Sequence, residues 1–370
     1  MKDFKIILSE FAKVDLSTRK AAVATVVRVR GSSYRSPGAR MLITDDGRWV
    51  GSISGGCLEG DALRKARQVM QSNQSITVTY DTNEGSNQNL GISLGCNGII
   101  DVLIEPAQQS IDLFQSLVKI DRPVALATVF GGTTCVGEKM LLGETTLSNP
   151  SISWLVEEKL RTLFETRESK AETFTHGNDT CEVFLELVQP GISLIIFGGG
   201  FDARPVSQLA KSLGWEVQVT DECAAHIAPL FFPTADKLSL CQRQFIDRDF
   251  NITPYTACVL MSHNFDYDRD VLKKLVNTST PYIGIMGPRK RFDKMLVDVT
   301  LNDEQMSRIH SPIGLDIGAE APDEIAVAIV SEIQARFSNR DGGFLRNRGG
   351  AIHPRDEKTD QVFKQVYLNS

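Results

Sequence analysis

The chain has 370 residues, of which 42% are hydrophobic and 23% charged, and its formal net charge is −6. This composition is ordinary for a globular protein of two or three domains, and the acidic balance argues against a nucleic-acid partner. No apolar stretch approaches the ~20 residues that cross a bilayer, and the N-terminal one is too short for a signal peptide, so we expect no membrane partner. The seven cysteines form no C-x-x-C pair, which indicates a reducing, cytoplasmic location and argues against disulfides or a compact zinc site.

A β-rich domain is predicted over residues 1–107. One helix is expected at 58–71, where apolar residues recur at helical spacing. The strands are apolar or alternating runs bounded by turn residues, and they are expected at 22–28, 39–44, 47–51, 76–80 and 99–105.

A weak internal repeat extends this domain. The matching segments are 21–26 with 124–129, 38–43 with 137–142, and 101–105 with 183–187. We therefore expect residues 108–190 to form a second β-rich half or a connecting subdomain, although strand-rich segments can resemble each other by chance.

A glycine-rich turn precedes the predicted helix, with the sequence Ser54-Gly55-Gly56-Cys57. Backbone N–H groups at a helix start stabilise anions, including a thiolate, and the two glycines allow a bulky ligand to approach. Glu59 opposes thiolate formation. A small buried cysteine in a tight turn explains the same residues.

Two other polar loops could carry chemistry. The loop 31–38 is flanked by arginines, which suit phosphate recognition, although a solvated hairpin loop would have the same composition. These arginines are Arg28, Arg30, Arg35 and Arg40. The segment 94–98 is a second glycine-rich turn, with Cys96 at its centre.

A dinucleotide-binding βαβ pattern begins at residue 193. A strand at 193–197 meets the glycines of G-x-G-x-x-A, a helix follows, and a strand at 216–220 ends at Asp221, about 20 residues later. Gly198 permits the tight turn and Gly200 lets the backbone approach a pyrophosphate, while Asp221 is placed to accept hydrogen bonds from a ribose. The same fold can also bind another ligand or none.

Two further buried strands are expected at 257–261 and 281–286, so the Rossmann-like domain should span 191–336 and the tail 337–370 should be irregular. His263 follows the first of these strands and suits acid–base work, ligand binding or a structural role. After the second strand, Arg289, Lys290 and Arg291 suggest an anion clamp at a helix start.

Six motifs occur in the order found in the XdhC/CoxI family, which the chain resembles over about residues 20 to 336. They lie at 31–41, 51–59, 198–205, 262–264, 284–291 and 310–320. The resemblance implies an α/β protein with a β-rich N-terminal XdhC/CoxI domain followed by a C-terminal Rossmann-like, doubly wound parallel sheet.

The family resemblance also implies a function. Its members are accessory proteins of xanthine dehydrogenase and related molybdenum hydroxylases. They bind the molybdenum cofactor, a pterin dithiolene, support exchange of an oxo for a sulfido ligand with sulfur from a cysteine desulfurase, and deliver the cofactor to the apo-hydroxylase. By resemblance, Cys57 is a candidate molybdenum ligand, and the glycine loop, His263 and the basic run at 289–291 are candidate cofactor contacts.

Two other functions remain open on the sequence. An NAD(P)-dependent oxidoreductase would use the Rossmann-like domain, with His263 as proton donor, and an interaction scaffold would not use that cleft. Because no residue set resembles a self-contained catalytic centre, we expect an accessory protein rather than a stand-alone enzyme, with a nucleotide or NAD(P) as a further candidate ligand. We also expect a homodimer.

Overall fold

The computed structural model describes residues 1–82, 98–133 and 136–349, with only the backbone of Asp247. The predicted turn around Cys96 and the tail beyond residue 349 lie outside these residues. The chain divides into two compact units, Asp3–Pro190 and Gly191–Gly349.

The first unit begins with a short helix and a five-stranded antiparallel sheet. In the sheet the strands are ordered β3-β2-β1-β5-β4, and α2 packs on β1 and β5. The elements are α1 (Lys2–Phe11), β1 (Ala21–Gly31), β2 (Arg40–Thr44), β3 (Trp49–Gly51), α2 (Glu59–Ser72), β4 (Ile76–Asp81) and β5 (Gly98–Pro106).

A second antiparallel sheet completes this unit. It has the order β7-β6-β9-β8, and α4 packs on β6, β8 and β9. The elements are α3 (Gln108–Leu117), β6 (Val124–Gly132), β7 (Lys139–Leu141), α4 (Pro150–Thr166), β8 (Lys170–His176) and β9 (Asp179–Val188).

The two sheets repeat one design, as the sequence repeat predicts. β2-β1-β5-β4 corresponds to β7-β6-β9-β8, and the pairing register shifts after Val26 in β1 and after Val129 in β6. One predicted match is wrong by a residue: Glu105 lies opposite Val23, and its equivalent opposite Leu126 is Glu186. The register shift lies at equivalent positions in the two halves, so the correct match of Glu105 with Glu186 follows from the strand pairing.

Reciprocal ion pairs join the two halves. Arg40 of β2 pairs with Glu186 of β9, and the equivalent Lys139 of β7 pairs with Glu105 of β5. Between the halves lies a small apolar cluster, again with equivalent members from each side: Val27, Leu103, Phe130 and Phe184. Each half therefore contributes the same kinds of contact to the other.

The second unit is a Rossmann-like sheet of six parallel strands in the order β12-β11-β10-β13-β14-β15. This is the 3-2-1-4-5-6 order of a doubly wound fold, which confirms the predicted fold class. The strands are β10 (Ser193–Phe197), β11 (Glu216–Asp221), β12 (Lys237–Leu240), β13 (Thr256–Leu260), β14 (Tyr282–Ile285) and β15 (Ile309–His310). The helices are α5 (Ala203–Ser212), α6 (Ile246–Asp249), α7 (Phe265–Leu275), α8 (Arg289–Met295), α9 (Asp303–Ser307) and α10 (Pro322–Phe337).

Several elements were not predicted from the sequence. α1 buries only Phe4 and Ile7 and has no side-chain cap, so its sequence shows neither a long pattern of apolar residues at helical spacing nor a start signal. β12 and β15 are short strands, of four and two residues, at the two edges of their sheet. α4 was also not predicted, although its sequence carries clear start signals: Asn149 caps the first N–H groups and Pro150 lies in the first turn.

Candidate functional site

The turn that carries Cys57 is wrapped around a carboxylate. Glu59, only 4% exposed, accepts hydrogen bonds from five backbone N–H groups at distances of 2.9–3.2 Å, and from the hydroxyls of Ser52 at 2.8 Å and Ser54 at 2.7 Å. The five N–H groups belong to Ile53, Ser54, Gly55, Gly56 and Leu58. The Cys57 side chain lies outside this ring of donors and is exposed.

This ring changes the role expected for the helix start. Burial raises the pKa of Glu59, but the hydrogen bonds from Ser54, Ser52 and the backbone outweigh it and lower the pKa to about 2. The carboxylate is therefore ionised at neutral pH and takes N–H groups that were expected to stabilise a thiolate.

Two glycines and a tyrosine shape the surface beside the thiol. Gly55 and Gly56 have φ angles of +94° and +123°, which other residues rarely adopt. The Tyr34 ring, on the loop 31–38, lies where a side chain of Gly55 would be, 2.9 Å from an ideal Cβ position. Since Tyr34 is 70% exposed, the structure brings an open aromatic ring together with the Cys57 loop.

The arginines around the loop 31–38 already have carboxylate partners. Arg28 pairs with Asp101 and Glu182, and Arg30 also pairs with Asp101. The other two pairs are Arg35 with Asp3 and Arg40 with Glu186. Their positive charge is thus balanced within the unit, which does not fit the interpretation of these four residues as a phosphate site.

In the second unit, the glycine loop lies at the carboxyl edge of the parallel sheet, between β10 and α5. Gly198 has a φ of +121°, and a Cβ there would lie 2.5 Å from the backbone of Ser262. A Cβ on Gly200 would instead lie 3.6 Å from the ring of His263, at ordinary contact distance. Gly198 therefore serves close packing of the protein, whereas Gly200 leaves its backbone accessible beside His263.

Asp221 contacts the glycine loop itself. Its carboxylate accepts hydrogen bonds from the N–H groups of Gly199 at 2.9 Å and Cys223 at 2.8 Å, and lies 3.1 Å from Nδ1 of His226. Asp221 is only 8% exposed. Asp221 therefore helps to fix the glycine loop, and its contact with a ribose stays a prediction.

His263 is held in an uncommon backbone conformation at the same edge. It has a φ of +60°, its side chain is 60% exposed, and its Nε2 lies 3.4 Å from Asp202 at the start of α5. Non-glycine residues in this region are often found at functional sites. The structure thus places His263 and Gly200 together, as one candidate anion-binding edge.

The predicted anion clamp is divided. Arg291 binds Asp268, a fully buried carboxylate, at 2.7 Å, so its charge is balanced inside the unit. Arg289 donates to the Ser311 carbonyl, and Lys290 is exposed. Arg289 and Lys290 extend into solvent, and Arg289 also lies 3.6 Å from the exposed carboxylate of Asp293.

Sequence reasoning missed four residues that shape these two regions: Tyr34, Asp268, His226 and the Glu59 carboxylate as a hydrogen-bond acceptor. The spacing of Glu59 just after a Ser-Gly-Gly-Cys turn was a usable signal, because carboxylates are favoured in the first turn of a helix. The others depend on contacts between distant segments.

Within the described ranges, no group of three or more His, Cys, Asp or Glu side chains is placed to hold a metal ion. No helix in the same part of the chain is long and apolar enough to span a bilayer.

Comparisons with known proteins agree across most of the chain. Residues 16–81 match the model of the XdhC and CoxI family, and residues 194–333 match that of the XdhC Rossmann domain. A Bacillus subtilis protein described as a probable subunit of xanthine dehydrogenase is 31% identical over 316 residues, which cover 85% of this chain and 92% of the relative. The molybdenum cofactor insertion chaperone PaoD of Escherichia coli is 24% identical over 90% of this chain and 88% of its own.

A solved structure is similar throughout. A Bacillus halodurans protein described as a xanthine dehydrogenase superposes with a TM-score of 0.74 at 30% identity, covering 96% of this chain and 98% of that one.

Proposed function

This chain belongs to the XdhC/CoxI family, and we propose that it is an accessory protein that binds the molybdenum cofactor and delivers it to a hydroxylase of the xanthine dehydrogenase type. The observation that carries the proposal is the exposed thiol of Cys57 on a loop fixed by seven hydrogen bonds to Glu59. The relative PaoD, described as a molybdenum cofactor insertion chaperone, supports the choice of cargo.

The first unit supplies a thiol and an aromatic surface. Soft metals prefer thiolate ligands, so Cys57 is our candidate for contact with molybdenum. The exposed ring of Tyr34 beside Gly55 offers a face on which a planar pterin can stack. Gly55 and Gly56 keep side chains away from the approach to the thiol.

The second unit supplies a candidate site for the phosphate of the cofactor, or for an attached nucleotide. Gly200 leaves its backbone accessible at the start of α5, where N–H groups and the helix dipole favour an anion. Arg289 and Lys290 are exposed beside this edge and carry positive charge, and the exposed ring of His263 can donate a hydrogen bond to an anion. Arg291 and Asp221 hold neighbouring protein groups in place rather than the ligand.

The sulfuration of the cofactor, its sulfur donor and its acceptor enzyme are proposed from the resemblance to the family. We propose that the cofactor receives its sulfido ligand while bound here, with a cysteine desulfurase as sulfur donor, and that the acceptor is an apo-hydroxylase in the cytoplasm. A homodimer is part of the same proposal. An NAD(P)-dependent oxidoreductase is less well supported, because one oxygen of Asp221, the predicted ribose acceptor, already contacts both Gly199 and His226.

The proposal is tested by identifying the molecules that copurify with the protein. The chain, produced in cells that make the molybdenum cofactor, is expected to retain molybdenum and a fluorescent oxidised pterin, and to activate an apo-hydroxylase when mixed with it. Cys57→Ala should fold normally and lose most of the bound molybdenum. Cys223→Ala is the matched control, because Cys223 is exposed in the second unit. Unchanged molybdenum in Cys57→Ala would remove the thiol from the site, and copurified NAD(P) without pterin would favour the oxidoreductase.

A further inference from the structure

The loop around Cys57 is built on a single side chain. All but one of the backbone N–H groups from Ile53 to Leu58 point at Glu59, and the remaining residue is Cys57 itself. We propose that Glu59 is the positioning residue of the thiol site: its carboxylate fixes the loop and holds the Cys57 thiol outward. The inference rests on the proposed function for its biological meaning, but its chemistry can be tested without the cofactor.

Two serines connect the carboxylate to the rest of the loop. Ser54 Oγ donates to Glu59 at 2.7 Å and accepts from the Leu58 N–H at 2.9 Å. Ser52 Oγ donates to Glu59 at 2.8 Å and accepts from the Gly55 N–H at 2.9 Å. Because each hydroxyl both donates and accepts, Ser54 connects Glu59 to Leu58 across Cys57, and Ser52 connects Glu59 to Gly55 ahead of it.

Only an ionised carboxylate satisfies this set of donors. Both of its oxygens accept hydrogen bonds and neither carries a hydrogen of its own. A glutamine of the same shape would place an NH₂ group among N–H donors and leave several of them unpaired, which is costly at a buried position. The charge of Glu59 is therefore part of the loop geometry.

This arrangement has opposite consequences for thiol reactivity and for ligand retention. Glu59 holds five backbone N–H groups around Cys57, so the thiol is presented in one fixed position. Without these bonds the loop opens locally, so small reagents should reach the thiol from more directions and react faster. The fixed placement is lost at the same time, so a bulky cofactor should be retained less well.

The experiment compares Glu59→Gln with the wild type in the full chain. Iodoacetamide labelling of the Cys57 peptide is followed by mass spectrometry at one neutral pH. We expect labelling to be about tenfold faster in the variant, because the loop is no longer held by the carboxylate. Molybdenum retained per protein should fall by about tenfold, the effect of one lost charged hydrogen bond.

Matched variants separate position from charge. Asp61→Asn removes a carboxylate one helical turn from the loop, paired with Arg64 at 2.8 Å, and should change both measurements little. Glu59→Asp keeps the charge on a shorter side chain and should restore both measurements in part. If Glu59→Gln does not fold, Ser54→Ala removes bonds to both Glu59 and Leu58 and should move both in the same directions.

The outcomes distinguish the two proposals. A folded Glu59→Gln protein with wild-type labelling and wild-type retention would overturn the positioning role. Faster labelling with full retention would also overturn it, because the thiol geometry would then not matter for the ligand. Full retention in Cys57→Ala, with the labelling change still seen in Glu59→Gln, would overturn the proposed thiol–metal contact but leave the effect of Glu59 on the loop.

Discussion

Gly198 and Gly200 lie two residues apart in the glycine loop, yet they tolerate side chains differently. Gly198 has a left-handed φ and would place a Cβ 2.5 Å from the Ser262 backbone, whereas a Cβ on Gly200 meets only the edge of the His263 ring. The first position is constrained by the protein and the second is open toward a ligand.

Substitutions at these two glycines should therefore separate stability from binding. Gly198→Ala is expected to lower the free energy of unfolding by about 3 kcal/mol, because a strained φ and an overpacked contact add together. Gly200→Val should unfold at nearly the wild-type urea concentration but retain much less pterin. Urea unfolding and pterin fluorescence measure the two effects. Equal destabilisation of both variants would contradict this assignment.

The ionised state of Glu59 predicts how stability depends on pH. Its pKa is lowered from 4.5 to about 2 by hydrogen bonds that outweigh burial. Because the folded-state pKa is the lower one, the carboxylate contributes stability above pH 4.5, and this contribution is lost as the pH falls from 4.5 toward 2. Its full size is about 3 kcal/mol.

Urea unfolding of the wild type and of Glu59→Gln at several pH values isolates this contribution. The difference in unfolding free energy should be largest near neutral pH and should shrink between pH 4.5 and 2.5. A difference that stays constant over this range would show that the carboxylate is not held as described.

At the scale of elements, the contact between β2 and β9 links the two halves of the first unit. Arg40 is 3% exposed, binds Glu186 through both guanidinium NH₂ groups, and lies 4.3 Å from the centre of the Phe4 ring. A buried pair of this kind is strongly destabilised when only one partner is removed, because the other charge is left uncompensated.

Arg40→Met should accordingly lower the free energy of unfolding by about 3–5 kcal/mol, and Arg40→Met combined with Glu186→Leu should recover most of this loss. A double-mutant cycle followed by urea unfolding gives the coupling energy. Equal destabilisation in the single and double variants would mean that the packing of Arg40 on Phe4, rather than the charge pair, stabilises this contact.

Elements were predictable wherever their signal is local. The strands β10 and β13 are largely apolar runs, β1 begins as one, and α10 begins at the expected Pro322. The site was predictable only in part, because side chains choose partners across long stretches of sequence. The sequence predicts that Arg291 binds an anion of the ligand, but the fold shows that it binds the carboxylate of Asp268, from α7. Likewise, the sequence places N–H donors beside Cys57 without showing that Glu59 turns back to bind them.

At the scale of the whole molecule, each unit has its own hydrophobic interior. Among the described residues, four clusters of buried side chains belong to the first unit and two to the second, one on either face of the parallel sheet. The two candidate regions therefore rest on separate scaffolds. A substitution that loosens the Cys57 loop should leave the glycine loop of the second unit intact, so the two parts of the proposed function can be tested independently.

The exchanged ion pairs of the first unit also bear on its ancestry. In a symmetric dimer, residue i of one copy meets residue j of the other and the reverse holds as well. Arg40 with Glu186 and Lys139 with Glu105 reproduce that rule inside a single polypeptide. Duplication and fusion of a gene for a self-pairing, half-sized protein would leave this pattern. The segment that bears the thiol belongs to the first half, so a unit built from two similar halves presents Cys57 on one side only.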